Sequence, residues 1–213
     1  MQMYKSKVRI SKEIILSLIL LTLPIITCTC IFYSPKIRSS FYLYLGNETL
    51  MTLYLSNFSH SDIEHLIGNL AYYFIFAILS FLLLWCAGEI RKFVYSSIIL
   101  LISYPFLISV IWSLLNRFFI HFYGPSYGFS GVVGGYISLC IISAIHLLHV
   151  KFQARPSYLF IGFSFLLFYC IAYQLCGIGH VLTIVTISMS IIFIAYGSKP
   201  SKISLNYGHL SSK

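Results

Sequence analysis

The chain has 213 residues, 59% of them hydrophobic and only 9% charged, with a net charge of +9 and a mean hydropathy of +0.89. A soluble domain carries about 25% charged residues, so the composition excludes an ordinary soluble domain and points to a chain that crosses a membrane several times. The positive residues are scattered in short polar segments between apolar runs. That excludes a nucleic-acid partner, which needs them on one face, and is the pattern that orients membrane spans.

A helical span needs about 20 mostly apolar residues. Six segments meet or approach that length: 14–33, 65–85, 94–115, 129–149, 158–175 and 180–196. The first follows the basic stretch "MQMYKSKVRISKE". It is as long as a full span and has no clear small-residue cleavage site, so it reads as an uncleaved first helix rather than a signal peptide. The last two are separated only by "QLCGIG" and read as a tight helical hairpin. The expected organisation is a cytoplasmic segment 1–13, a six-helix, all-α membrane domain 14–196 and a polar cytoplasmic tail 197–213. With the N-terminus inside, eleven of the fourteen Lys and Arg fall in inner segments, and only Lys36, Arg38 and Arg117 fall outside. This asymmetry places both termini in the cytoplasm. Cys28, Cys30, Cys86, Cys140, Cys170 and Cys176 form no CxxC and lie mostly within apolar runs. They read as small buried hydrophobes, with no disulfide framework.

This topology puts the beginnings of the second, fourth and sixth spans on the outer side. Those beginnings are "HSDIEHLIGN", "YGFSGVVGG" and "GIGHVLT". Ser130, at the entrance of the fourth span, has the free backbone N–H groups of a helix start beside it, which suit a developing oxyanion. The competing reading is packing: Gly131 and Gly135 form a GxxxG pair that lets two helices approach. The two readings are compatible. Ser126 sits in "GPSYG", a literal G-x-S-x-G, but that motif carries meaning only on a strand-to-helix turn of a sheet, and no strands are read here. His180, opening the sixth span, has the chemistry to deprotonate a serine near neutral pH. The acids nearest this depth, Asp62 and Glu64, lie at the mouth, so a Ser–His dyad is the simpler arrangement. His65 and Asn69 are spaced i, i+4 on one helix face. They either bond to backbone and to a neighbouring helix or donate to an oxyanion. His60, five residues before His65, need not share that face. His60, His65 and His180 would satisfy the ligand count of a catalytic zinc, but a metal leaves the Gly-Phe-Ser-Gly stretch without a role. No metal and no cofactor are therefore expected. Asn47-Glu-Thr49 and Asn57-Phe-Ser59 are glycosylation sequons for an outward-facing loop, relevant only in a eukaryotic secretory membrane.

Together these residues resemble a family. A HxxxxHxxxN entry to the second span (His60, His65, Asn69), a GxSG entry to the fourth (Gly128, Ser130, Gly131) and a histidine entering the sixth (His180) are similar to the rhomboid intramembrane serine proteases. The resemblance covers about residues 14–196. It implies a six-transmembrane-helix rhomboid-like bundle with a wet cavity opening outward. Ser130 would be the nucleophile and His180 the general base and acid. His65, Asn69 and the Ser130 N–H would form the oxyanion hole, with His60, Gly128 and Gly131 supporting the motif. The implied substrates are transmembrane proteins in the lipid bilayer, cut within or near their spans. The sequence departs from the family pattern at Gly134, where an aromatic is often found, and at Thr183, where a glycine is. The outer loop 34–60 also lacks the family's tryptophan–arginine pair. Two alternatives follow: a rhomboid-like protein that binds membrane clients without cutting them, and a histidine-using metal or proton transporter. The expected host is the plasma membrane of a prokaryote.

Overall fold

A computed structural model describes residues 2–121, 124–164 and 180–198, with side chains from Lys12 onward and, in the last helix, from Ser188. All regular structure among these residues is helical. The helices are α1 (Gln2–Phe32), α2 (Pro35–Ser40), α3 (Leu50–Leu55), α4 (Ile63–Cys86), α5 (Ile90–Ile102), α6 (Tyr104–Leu115), α7 (Ser130–Phe152), α8 (156–164) and α9 (His180–Gly197). Three are long and apolar enough to cross a membrane: Lys12–Phe32 within α1, α4 and α7. At 1.5 Å per residue, 21 to 24 residues reach the roughly 30 Å of a hydrocarbon core. Their large apolar side chains, such as Ile15 and Ile26 on α1 and Leu79 and Trp85 on α4, are exposed, as a lipid-facing surface requires. The first, second and fourth predicted segments correspond to these helices.

The third predicted segment is not one straight helix. It breaks at Ser103, and α5 and the run Tyr104–Ile120 are bent by 41°, forming a fourth span if counted together. Of the fifth and sixth segments, residues 165–179 lie outside the described residues; α9 covers His180–Gly197, and the part of it with described side chains, Ser188–Gly197, is apolar. The cysteines also differ in part from expectation. Cys28 is buried, whereas Cys30 and Cys86 are exposed, on helix faces whose neighbours are apolar.

The chain divides into two compact units, Met1–Cys140 and Ile141–Lys213. In the first, α1, α4, α5 and the start of α7 enclose a core around Tyr73, Phe93, Phe129 and Tyr136, all fully buried. Two prolines interrupt helices here, and each frees the carbonyl four residues earlier. Pro24 frees the Leu20 carbonyl, which accepts from the Tyr73 hydroxyl at 2.8 Å. Pro105 frees the Leu101 carbonyl, which accepts from the Tyr54 hydroxyl at 2.8 Å. At the second break Asn57 adds two bonds through Nδ2, to the Pro105 carbonyl at 3.0 Å and to Ser109 Oγ at 2.8 Å. Irregular backbone at membrane depth survives only where such partners satisfy it. The segment between α2 and α4, holding α3 and the turn Ser56–Phe58, supplies them. Asn57 is therefore buried, only 4% exposed, and the sequon read there is occupied by structural bonds.

In the second unit α7 ends at Phe152. Gln153 adopts φ 54°, and the Ala154 carbonyl lies 2.8 Å from His149 Nδ1. There α8 and α9 meet at glycines. A Cβ on Gly162 would fall 3.0 Å from the backbone of Ser190 and Ile194, and one on Gly197 would fall 2.8 Å from Leu159 N.

Candidate functional site

The residues singled out in "HSDIEHLIGN" and "YGFSG" converge at the entry to α7, within the first unit. Loop 124–129 is pinned first at Ser126, which exchanges two backbone hydrogen bonds with Leu43 at 2.8 and 3.0 Å. This isolated bridge is the only extended pairing among the described residues, so Ser126 does not top a sheet. Two residues on, Gly128 has φ +119°, a conformation that side chains rarely adopt. Its N–H donates to the Ser56 carbonyl at 3.0 Å. A Cβ at Gly128 would lie 2.9 Å from His65 Nε2 and 3.8 Å from Asn69 Nδ2. Glycine is thus required twice, by its dihedral and by the approach of α4.

Phe129 is fully buried against Phe58 and Tyr73, with ring centroids 5.4 and 5.3 Å away. Its N–H donates to His60 Nε2 at 3.3 Å. The next residue, Ser130, starts α7 and is exposed. Its hydroxyl has no hydrogen-bond partner among the described residues. Gly131 then packs so closely that a Cβ would lie 2.8 Å from the Ile108 side chain, and one on Gly135 would lie 2.9 Å from Leu100. The packing reading of the glycine pair holds. Ser130 is therefore an exposed hydroxyl, unpartnered among the described residues, on backbone fixed immediately before and after it.

His60 is fully buried. A backbone N–H can only donate, so Nε2, which receives the Phe129 N–H, is an acceptor and the ring proton sits on Nδ1. Asn69 Nδ2 lies 3.0 Å from the same Nε2. Asn69 must therefore present its NH2 group to the ring. Burial, with the nearby His65 adding to it, pushes the His60 pKa down to about 4, against the opposing pull of the Phe58 carbonyl and Asp62. Nδ1 is buried and has no hydrogen-bond partner among the described residues. The His65 ring, on the exposed first turn of α4, stands edge-on to His60 with centroids 5.3 Å apart.

Asp62 caps α4. Its Oδ1 accepts from the His65 N–H at 2.7 Å and its Oδ2 from the Ser61 hydroxyl at 2.6 Å. The Ser61 hydroxyl first, and then the His65 N–H, hold its carboxyl below the usual range. One oxygen serves the α4 cap and the other the Ser61 hydroxyl.

On the α6 side of Ser130 lies a cavity of about 350 Å³. Ser56, Asn57, Ser109 and Ser126 give it polar walls, and Ile108 and Trp112 apolar ones. The structure thus brings together His60, His65, Asn69, Gly128, Ser130 and Gly131. His180 begins α9, and its side chain lies outside the described residues. Sequence reasoning missed Phe129, Ser56 and Asn57. The signal for Asn57 was Pro105, whose orphaned turn inside an apolar run demands donors from elsewhere. At Gly134 a Cβ would meet nothing within 4 Å.

No family model matches the chain, and neither does any curated protein or solved structure.

Proposed function

We propose that the chain is a rhomboid-type intramembrane serine endopeptidase. It is a six-span bundle with both termini cytoplasmic and a site opening to the outer side of a prokaryotic plasma membrane. Ser130 Oγ attacks the carbonyl carbon of a peptide bond in or near a substrate's transmembrane segment as His180 takes its proton. The oxyanion is held by His65, Asn69 and the Ser130 N–H. His180 returns the proton to the departing amine, and water, deprotonated by the same histidine, hydrolyses the acyl-enzyme. The supporting observation is the convergence of His65 and Asn69 on the Gly128–Ser130 turn, with an exposed hydroxyl at the helix start. One such donor is worth about 100-fold or more in rate.

A fluorophosphonate probe tests this directly. The wild type should be labelled; Ser130→Ala and His180→Ala should abolish labelling, and Ser126→Ala should preserve it. Labelling that depends on Ser126 overturns the assignment. A second reading, a rhomboid-like protein that binds clients without cutting, draws on the empty space beside Gly134. It gains if purified transmembrane substrates bind and none is cleaved.

A further inference from the structure

Building on the protease reading above, we infer that His60 is a positioning residue that aims the Asn69 amide at the oxyanion, and that it works only as the neutral ring protonated on Nδ1. Its Nε2 serves two donors at once, Asn69 Nδ2 at 3.0 Å and the Phe129 N–H at 3.3 Å. One bond sets the rotation of the Asn69 side chain; the other holds the residue just before the nucleophile. With one amide hydrogen committed to His60, Asn69 has its second hydrogen free for the oxyanion. A proton on Nε2 reverses this. The ring can then accept from neither partner, the Phe129 N–H loses its acceptor, and the Asn69 amide must turn its oxygen toward the ring. That swings the NH2 group away from its position.

The surroundings keep the ring neutral. The groups facing it are His65 on α4, the Asp62 cap, the Phe58 carbonyl from the turn Ser56–Phe58, Asn69 and the Phe129 N–H. The one acid among them is committed to the α4 cap and the Ser61 hydroxyl. Burial is the largest influence and opposes the charge.

The test uses purified full-length protein and a model transmembrane substrate. His60→Leu removes the acceptor and should lower kcat about 100-fold, as loss of an oxyanion donor does, with KM within about twofold. His60→Gln places a carbonyl oxygen near the Nε2 position and should retain kcat within about threefold. The pH profile separates aim from mere support. In the wild type, log kcat should fall with slope one as the base titrates and steepen to two near pH 4, whereas His60→Gln keeps a slope of one. Independently of catalysis, nitrogen NMR of histidine-labelled Ser130→Ala protein should show His60 protonated on Nδ1 and bare on Nε2. The opposite tautomer overturns the inference. Ser130-dependent cleavage with an unchanged kcat in His60→Leu overturns it alone, while absence of any Ser130-dependent cleavage overturns the protease reading and this role together.

Discussion

The first turns of α7 have two faces built from the same residue types. On one, Gly131 and Gly135 are pressed against Ile108 on α6 and Leu100 on α5, with no room for a Cβ. On the other, Ser130, Gly134 and Ser138 follow one another at helical spacing, and among the described residues nothing lies within 4 Å of a Cβ added at Gly134. Ser138 turns its hydroxyl back onto the Gly134 carbonyl at 3.0 Å. A glycine pattern in an apolar run is usually read as packing; here that holds for one face only. The crowded face anchors the helix to the broken span. The open face keeps the serine accessible. A catalytic hydroxyl at a helix start needs both, because fixed backbone sets its position and free space admits the substrate.

The comparison is most exposed at Gly128, where crowding and the proposed chemistry fall on one residue. Gly128→Ala must hold φ near +119° and push its methyl to within 2.9 Å of His65 Nε2. The positive φ alone costs about 1–3 kcal/mol, and relief comes by moving the His65 ring. Fluorophosphonate labelling should slow about 100-fold, the scale of one lost oxyanion donor, in protein that still purifies as folded. Labelling at the wild-type rate would separate the Gly128 turn from the chemistry. Next in size is Gly135→Leu. Overpacking against Leu100 and Tyr104 should lower stability by about 1–3 kcal/mol, read as an earlier unfolding midpoint in detergent. An unchanged midpoint would remove the crowded face from the argument.

Much of the site was legible because its parts obey local rules. His65 and Asn69 share a face by their spacing, and a serine at a helix start has free N–H groups whatever the fold. Apolar length located α1, α4 and α7 for the same reason. What escaped depends on distant partners. Pro105 lies in plain view within the segment read as one straight span, but the bend it creates is stabilised by Tyr54 and Asn57, about fifty positions earlier. No window of that span contains them. The six-residue helices α2 and α3 are too short for their periodicity to register, so the outer segment read only as loop. His60 was set apart because, five residues before His65, it need not share the His65 face. It reaches Asn69 from the segment before the helix, an arrangement that i, i+4 reasoning does not cover.

The smallest expected effect gives the sharpest contrast, since its sign is opposite. Gly134 lies one residue before Gly135 in the same helix. Glycine inside a helix costs about 0.5–1 kcal/mol relative to alanine, through the backbone freedom it loses on folding. At Gly135 that gain is outweighed by the Leu100 and Tyr104 side chains within 3.3 Å of any added carbon. At Gly134 no described residue opposes it, so Gly134→Ala should raise the unfolding midpoint slightly, where Gly135→Leu lowers it. Labelling of Ser130 should stay near the wild-type rate, because a single methyl one turn below the hydroxyl fills little of the open space. A loss of stability in Gly134→Ala would mean that this face is covered in the folded protein, and the open-face half of the comparison would fail.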